Sequence, residues 1–260
     1  MTTFNEQGFL ANDFSFFTDE ANAKHGDLIS ICMELSHLAW RFQYSLSIHS
    51  QYPPETIGSI LYTRVLSTYQ AAILLSRRGM KHQVQVLIRC MLEPLFPLVA
   101  ISNDINFVTS FVLSEEHERL KGINKLIKFK EKNKDNSGIQ ELKELAKASK
   151  LKIRVDDIKN ISIYDCAQKA GLQDYYDTLY SFMSITVHSS PRSLEEAIEM
   201  DTEKGSIKEL KNEPDLDSYG DHLSVLADCL LKAISAVSIV FKIDKPEFVQ
   251  NITDQLKRLQ

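Results

Sequence analysis

The chain has 260 residues, 43% hydrophobic and 25% charged, with a formal net charge of −5. That is enough apolar material for a substantial core without disulfides or metals, and the negative balance excludes a protein whose whole surface grips nucleic acid while leaving room for local basic patches. No window approaches ~18 consecutive apolar residues, and the opening MTTFNEQGFLANDF lacks the basic start and apolar run of a signal peptide, so the expectation is a cytoplasmic protein with no membrane partner.

Apolar residues recur at three- and four-residue intervals and period-two runs are almost absent, which predicts an all-α helical bundle forming a single domain over residues 1–260. Leu28, Ile31, Cys32, Leu35, Leu38, Ala39, Phe42 and Leu46 trace one stripe, predicting a first long helix from about Asn22 to Ser50 that Pro53-Pro54 ends. Pro54 then fits the first turn of a second helix, closed by Arg77-Arg78-Gly79. The third helix, near Met80 to Ser102, is apolar nearly all round in VLIRCMLEPLFPLVAI and belongs at the centre, with Pro94 and Pro97 expected to kink it or end its regular part.

A fourth helix is expected to start near Asn103-Asp104 and run into a lysine-rich excursion, residues 121–159. Ser137-Gly138-Ile139-Gln140 resembles a capping box for a short helix ending around Lys150, and Ser162-Ile163-Tyr164-Asp165 another, for a helix that Gly171 stops. A Tyr- and Ser-rich element follows from Gln173 to His188, then a small hairpin near 199–208 turning at Lys204-Gly205. A strong helix spans Tyr219 to Phe241, and Asp244 should cap a terminal helix over 245–260 with Pro246 in its first turn. The core bundle is placed at about 22–120 and 160–243. Cys32, Cys90, Cys166 and Cys229 lie far apart in apolar contexts and read as buried free thiols of a reducing compartment.

No P-loop, strand-linked G-x-G-x-x-G, G-x-S-x-G or H-E-x-x-H is present, which disfavours nucleotide-fold enzymes and ordinary serine hydrolases. Glu34-Leu-Ser-His37 has the spacing of a di-iron ligand pair but no second copy, so no metal and no cofactor is expected. Two spacings place polar groups inside helices that otherwise read as buried. Arg89 and Glu93, four apart, share a helical face. Tyr180, Ser184 and His188 line one stripe of a later helix, with Arg192 just beyond Pro191. Facing each other, the two helices would gather an arginine that can stabilise an anionic transition state and a histidine that titrates near neutrality, a set suited to phosphodiester cleavage. The same residues would serve equally as a hydrogen-bonded network fixing helix register. Lys128, Lys130, Lys132 and Lys134, with Arg192, are the candidate nucleic-acid contacts, against the plainer reading of a solvated helix face.

These residues carry a resemblance. GMKHQVQVLIRCMLEPLFPLVAISND and YDTLYSFMSITVHSSPRSL, with R-x-x-x-E in the first and Y-x-x-x-S-x-x-x-H-x-S in the second, resemble a bacterial domain-of-unknown-function family, number 5677, over roughly Thr56 to Phe241. That family looks distantly similar to HEPN domains, helical bundles that are often metal-independent ribonucleases of toxin–antitoxin and anti-phage systems. The resemblance implies His188 as general acid/base, Arg89 as the charge stabiliser, and Glu93, Tyr180 and Ser184 around them, with RNA as substrate, an antitoxin or other protein partner, and a homodimer. The literal HEPN motif R-x(4–6)-H occurs only as Arg77 to His82, away from the helix of His188. A non-catalytic binding module with a buried polar network is the rival expectation.

Overall fold

The computed structural model describes residues 1–187, 195, 197–201 and 205–259. After a short helix α1 (Phe4–Gln7) and a 3-10 turn (Gly8–Leu10), the chain runs through α2 (Ser15–Ser45), α3 (Pro53–Ser76), α4 (Lys81–Asn103), α5 (Phe107–Lys132), α6 (Ile139–Val155) and α7 (Ile163–Ala170). A composite helix follows: α8 (Gln173–Tyr175), a π-helical stretch (Tyr176–Tyr180) and α9 (Ser181–Val187). Strands β1 (Ile198–Asp201) and β2 (Ser206–Leu210) pair antiparallel, and α10 (Tyr219–Val240) and α11 (Glu247–Arg258) complete an all-α bundle with one small hairpin.

Helix α4 is the hub, packed by α3, α10, α7 and the composite helix. Its Ile88, Met91, Leu92, Leu95, Phe96, Leu98 and Ile101 are fully buried, and at about 25 cal/mol per Å² of apolar surface removed from water they are a principal source of stability. Helix α3 is tied to α2 by phenols as well as by apolar contact. Tyr62 donates to the Ala39 carbonyl at 2.9 Å and Tyr69 to the Cys32 carbonyl at 2.8 Å, so two buried hydroxyls find partners where none would otherwise be available. Helices α4 and α10 are both long and apolar enough to cross a membrane, but 67% of each apolar window is buried inside the bundle, as expected of core helices.

Several boundaries depart from the sequence expectations for identifiable reasons. Helix α2 begins at Ser15, because residues before Asn22 continue it across a kink at His25, where φ is −135° and ψ is 19°. Helix α4 passes through Pro94 and Pro97 to Asn103; both prolines are buried, so packing outweighs the lost backbone donors. Helix α5 begins at Phe107, and the Asp104 side chain instead accepts from the Asn106 N–H in a turn. The expected box at Ser137 does not form. Ser137 turns back onto Asp135, left-handed Gly138 is the cap, and α6 extends past Lys150 to Val155. Pro246, not Asp244, is the N-cap of the last helix. The box at Ser162 and the left-handed stop at Gly171 are both present. All four cysteines are free, with Cys90 only half-buried.

Helices α5 and α6 form an antiparallel arm whose second helix packs chiefly on the first. The clasp is Glu116, buried on α5, which accepts from the Ser149 hydroxyl at 2.6 Å and the Lys152 ammonium at 3.1 Å. These partners, the Ser149 hydroxyl foremost, hold its carboxyl below the ordinary value of 4.5. A depressed folded value means that the clasp's contribution is present above the ordinary carboxylate range and is lost as pH falls through the lowered value. Glu116→Gln should speed amide hydrogen exchange across α6 while leaving α4 and α10 protected; unchanged α6 protection would refute the clasp.

The turn between α3 and α4 depends on Gly79, with φ of +66° and a would-be Cβ 2.6 Å from Pro214 Cβ and 2.8 Å from the Phe17 ring. Gly79→Ala should therefore destabilise by about 2 kcal/mol or more, left-handed strain plus overlap, seen as a melting temperature lower by several degrees.

Candidate functional site

The polar spacings noticed in the sequence meet at the seam between α4 and the composite helix. Arg89 reaches across from α4 and uses all three guanidinium nitrogens: Nε donates to Ser184 Oγ at 2.9 Å, Nη2 to the Tyr180 hydroxyl at 2.8 Å, and Nη1 pairs with Glu93 Oε1 at 3.1 Å. Tyr180 donates in turn to Glu93 Oε1 at 3.1 Å, and Ser184 donates to the Tyr180 carbonyl at 2.7 Å. The guanidinium also lies over the Tyr180 ring, 4.6 Å from its centroid. Each of the four residues is thus bonded to at least two of the others. The Arg89 side chain is 20% exposed and that of Glu93 is 40% exposed, so the cluster is buried on one flank and open on the other.

Why the helices meet here follows from periodicity. Gln85, Arg89 and Glu93 stand at four-residue intervals on a helix whose middle is otherwise apolar, and the composite helix answers each of them: Thr186 donates to Gln85 Oε1 at 3.1 Å, Ser184 and Tyr180 serve Arg89, and Tyr180 serves Glu93. Gln85 and Thr186 were not singled out from sequence, although Gln85 lies one turn before Arg89 and extends the same polar row. Tyr180 closes the π-helical stretch and stacks on Tyr176 with centroids 4.9 Å apart; Tyr176 in turn meets the Tyr164 ring edge-on at 5.1 Å. Such π turns often mark functional positions or an irregular fit between helices.

Electrostatics favours a protonated Tyr180. Burial, and then the neighbouring Glu93 charge, push its pKa to about 12. It therefore remains a donor at neutral pH rather than a base. Half-buried Cys90 is likewise raised, by burial first and Glu93 second, which makes it a poor nucleophile.

Among the described residues the remaining candidates are dispersed. His188 and Arg192 lie outside the described residues. Lys128 and Lys132 are exposed on α5, Lys130 pairs with Asp135 at 2.6 Å, and Lys134 stands in a left-handed turn at the arm's tip. Arg77 caps the end of α3 and His82 lies in the first turn of α4, beside a groove walled by the β-hairpin and remote from Ser184 in the chain. Glu34 and His37 are both exposed on α2, and no cluster able to hold a metal occurs among the described residues. A second polar group, absent from the sequence reading, joins Tyr175 of α8 to Asp228 and Lys232 of α10, with the ammonium 5.0 Å from the Tyr175 centroid.

Residues 55–207, more than half the chain and including the whole described seam, match the model of a family described as a family of unknown function (DUF5677). No curated protein and no solved structure matches the chain.

A raised tyrosine pKa gives the seam a pH signature. Tyr180 stabilises the fold fully below its unfolded value near 10, and that contribution is lost as pH rises towards about 12. Comparing unfolding of the wild type and Tyr180→Phe between pH 8 and 11, the wild type should lose stability more steeply; parallel curves would show that Tyr180 is not held protonated by the cluster.

Proposed function

This chain belongs to the DUF5677 family of unknown function, and we propose that it works by binding a macromolecular partner in the cytoplasm rather than by turning over a substrate. The observation that carries the reading is the engagement of all three Arg89 nitrogens by Ser184, Tyr180 and Glu93. A guanidinium tied at three points and stacked on an aromatic ring is built to hold two helices in register; a group that must capture phosphate in a transition state is better left with its fork facing the substrate. The protonated Tyr180 and the raised Cys90 thiol supply neither a base nor a nucleophile beside it. In this reading the network braces the composite helix against α4, and the partner is met elsewhere on the surface.

One observation favours a second reading, a metal-independent ribonuclease of the HEPN-like kind acting in bacterial stress or phage defence. The cluster is open on the Glu93 side, Arg89 keeps two N–H donors beyond its three contacts, and His188 follows Ser184 by one helical period in sequence. In that mechanism Arg89 would stabilise the developing phosphorane charge and His188 would move the proton.

Inducing the wild type, Arg89→Ala and His188→Ala in a bacterial host, followed by inspection of total RNA and melting of the purified proteins, separates the two. The binding reading expects intact RNA in all three strains and an Arg89→Ala protein destabilised by about 1–3 kcal/mol, as for a broken, partly buried network. Growth arrest with RNA fragments in the wild type alone would overturn it in favour of the ribonuclease.

A further inference from the structure

The arm concentrates charge that the rest of the chain opposes. Residues 121–159 hold twelve Lys and Arg against six Asp and Glu, a net of +6, which leaves −11 for the remainder of a chain whose total is −5.

Helical geometry sorts those cations by face. On α5 the inward row is fixed by Glu116, Ile127 and Glu131: Glu116 meets Ser149 and Lys152, Ile127 is buried, and Glu131 meets Lys143 at 2.9 Å. On α6 it is fixed by buried Ala146 and Ser149. Each residue turns the helix by about 100°. Lys128 and Lys132 stand one step past Ile127 and Glu131, with Lys125 on the same flank. Lys147 and Lys150 stand one step past Ala146 and Ser149, with Arg154 one turn further on. In antiparallel neighbours, equal rotation away from the contact brings both rows out on the same broad side. Lys130 and Lys152 fall on the other side, and there each has a carboxylate, Asp135 at 2.6 Å and Glu116 at 3.1 Å. Among the described residues no carboxylate pairs with Lys125, Lys128, Lys132, Lys147, Lys150 or Arg154, all of them exposed. Glu144 borders this side and accepts instead from Gln140 at 3.2 Å.

We propose that this face of the arm binds the sugar–phosphate backbone of single-stranded nucleic acid. The proposal deepens the binding reading above by naming the partner's chemistry. The two rows of three cations are each about 10 Å long and staggered along the arm, because Glu131 lies level with Lys143 and Glu116 with Ser149 and Lys152; they run diagonally across the hairpin and match an extended polyanion rather than a single small anion. Phe129, 64% exposed, lies four residues after Lys125 and next to Lys128, where its ring is available to stack on an unpaired base, an option that a closed duplex does not offer. An anionic bilayer fits less well. The exposed apolar residues at the arm's outer edges, Phe129 on α5 and Leu151 and Val155 on α6, are held apart by the width of the basic face, so it presents no continuous apolar strip to enter lipid.

The test is fluorescence anisotropy of the full chain with a labelled 20-nucleotide oligouridylate, with oligothymidylate as the DNA counterpart and phosphatidylserine vesicles as the competing surface. Replacing Lys125, Lys128, Lys147 and Lys150 with Gln should weaken oligonucleotide binding about tenfold or more and flatten its salt dependence by roughly 0.7 per lost phosphate contact. The same charge change at Lys24, Lys208, Lys245 and Lys257, away from the arm, should alter it less than about threefold. Phe129→Ala should weaken binding with the salt slope unchanged. No oligonucleotide binding at low salt, equal losses in the two quadruple variants, or binding to vesicles alone would overturn the proposal. If the wild type binds and also cuts the oligouridylate, the face stands and the non-catalytic reading falls; if it neither binds nor cuts, the face falls and the Arg89 brace is untouched.

Discussion

Arg89 is a permanent cation on a helix that must otherwise be apolar to serve as the hub of the bundle, and that conflict governs the arrangement around it. An unpaired guanidinium in this position would cost several kcal/mol, a large part of the stability of a domain. Glu93 neutralises the charge from one turn away, but a carboxylate on the same helix cannot satisfy the whole fork. Ser184 and Tyr180 complete it from another helix nearly a hundred residues later. The composite helix is therefore held to α4 by geometry as well as by apolar contact. Its register is specified because a shift of one residue would carry Ser184 and Tyr180 away from the guanidinium. Apolar contacts alone tolerate sliding far better.

The arm is organised on the opposite principle. Where the bundle gathers its internal charges into small hydrogen-bonded groups, the arm carries many exposed charges and leaves the cations of its two rows without a carboxylate partner among the described residues. Glu116 and Asp135 neutralise the lysines that share their side, and the inward contacts of Ile127 and Ala146 are too few to make the arm part of the main core. An antiparallel helix pair of this kind is stable enough to project while leaving one broad face to solvent. Unpaired like charges on one face repel, typically by a few tenths of a kcal/mol per exposed neighbouring pair. The arrangement is slightly costly to the isolated protein.

Much of this was legible from the residues. The long helices, the central position of α4 and the small hairpin follow from apolar period and turn chemistry, and the pairing of Arg89 with Glu93 follows from their spacing. Tyr180 and Ser184 were also readable as a stripe, because a polar row within a buried helix demands a polar row opposite. What the residues could not indicate was which competing local signal would win. Ser137 and Asp244 both look like helix caps, yet Ser137 is drawn into the Asp135 turn and Pro246 sets the last helix start. Pro94 and Pro97 look like breakers, yet both are buried in a helix packed on several sides. For the prolines, burial outweighed a preference worth about 3 kcal/mol; at Ser137 a rival bond only two residues away prevailed.

The π-helical stretch is the least legible feature and the one on which the seam's geometry most directly depends. A wider turn places residues five apart in hydrogen-bonding register, here with Ser181 Oγ also donating to the Tyr176 carbonyl at 2.9 Å. Upstream of it Tyr175 is directed to Asp228 on α10; downstream Tyr180 and Ser184 are directed to Arg89 on α4. One continuous helix thus serves two neighbours that lie in different directions. No apolar period records this, because the stretch YYDTLYS carries tyrosines on several sides, and a regular helix drawn through it would keep both sets of contacts only by bending. The wide turn stands between two polar groups, Tyr175 with Asp228 and Lys232 before it and Tyr180 with Arg89 and Glu93 at its end, and so joins the two directions in which this helix is bonded.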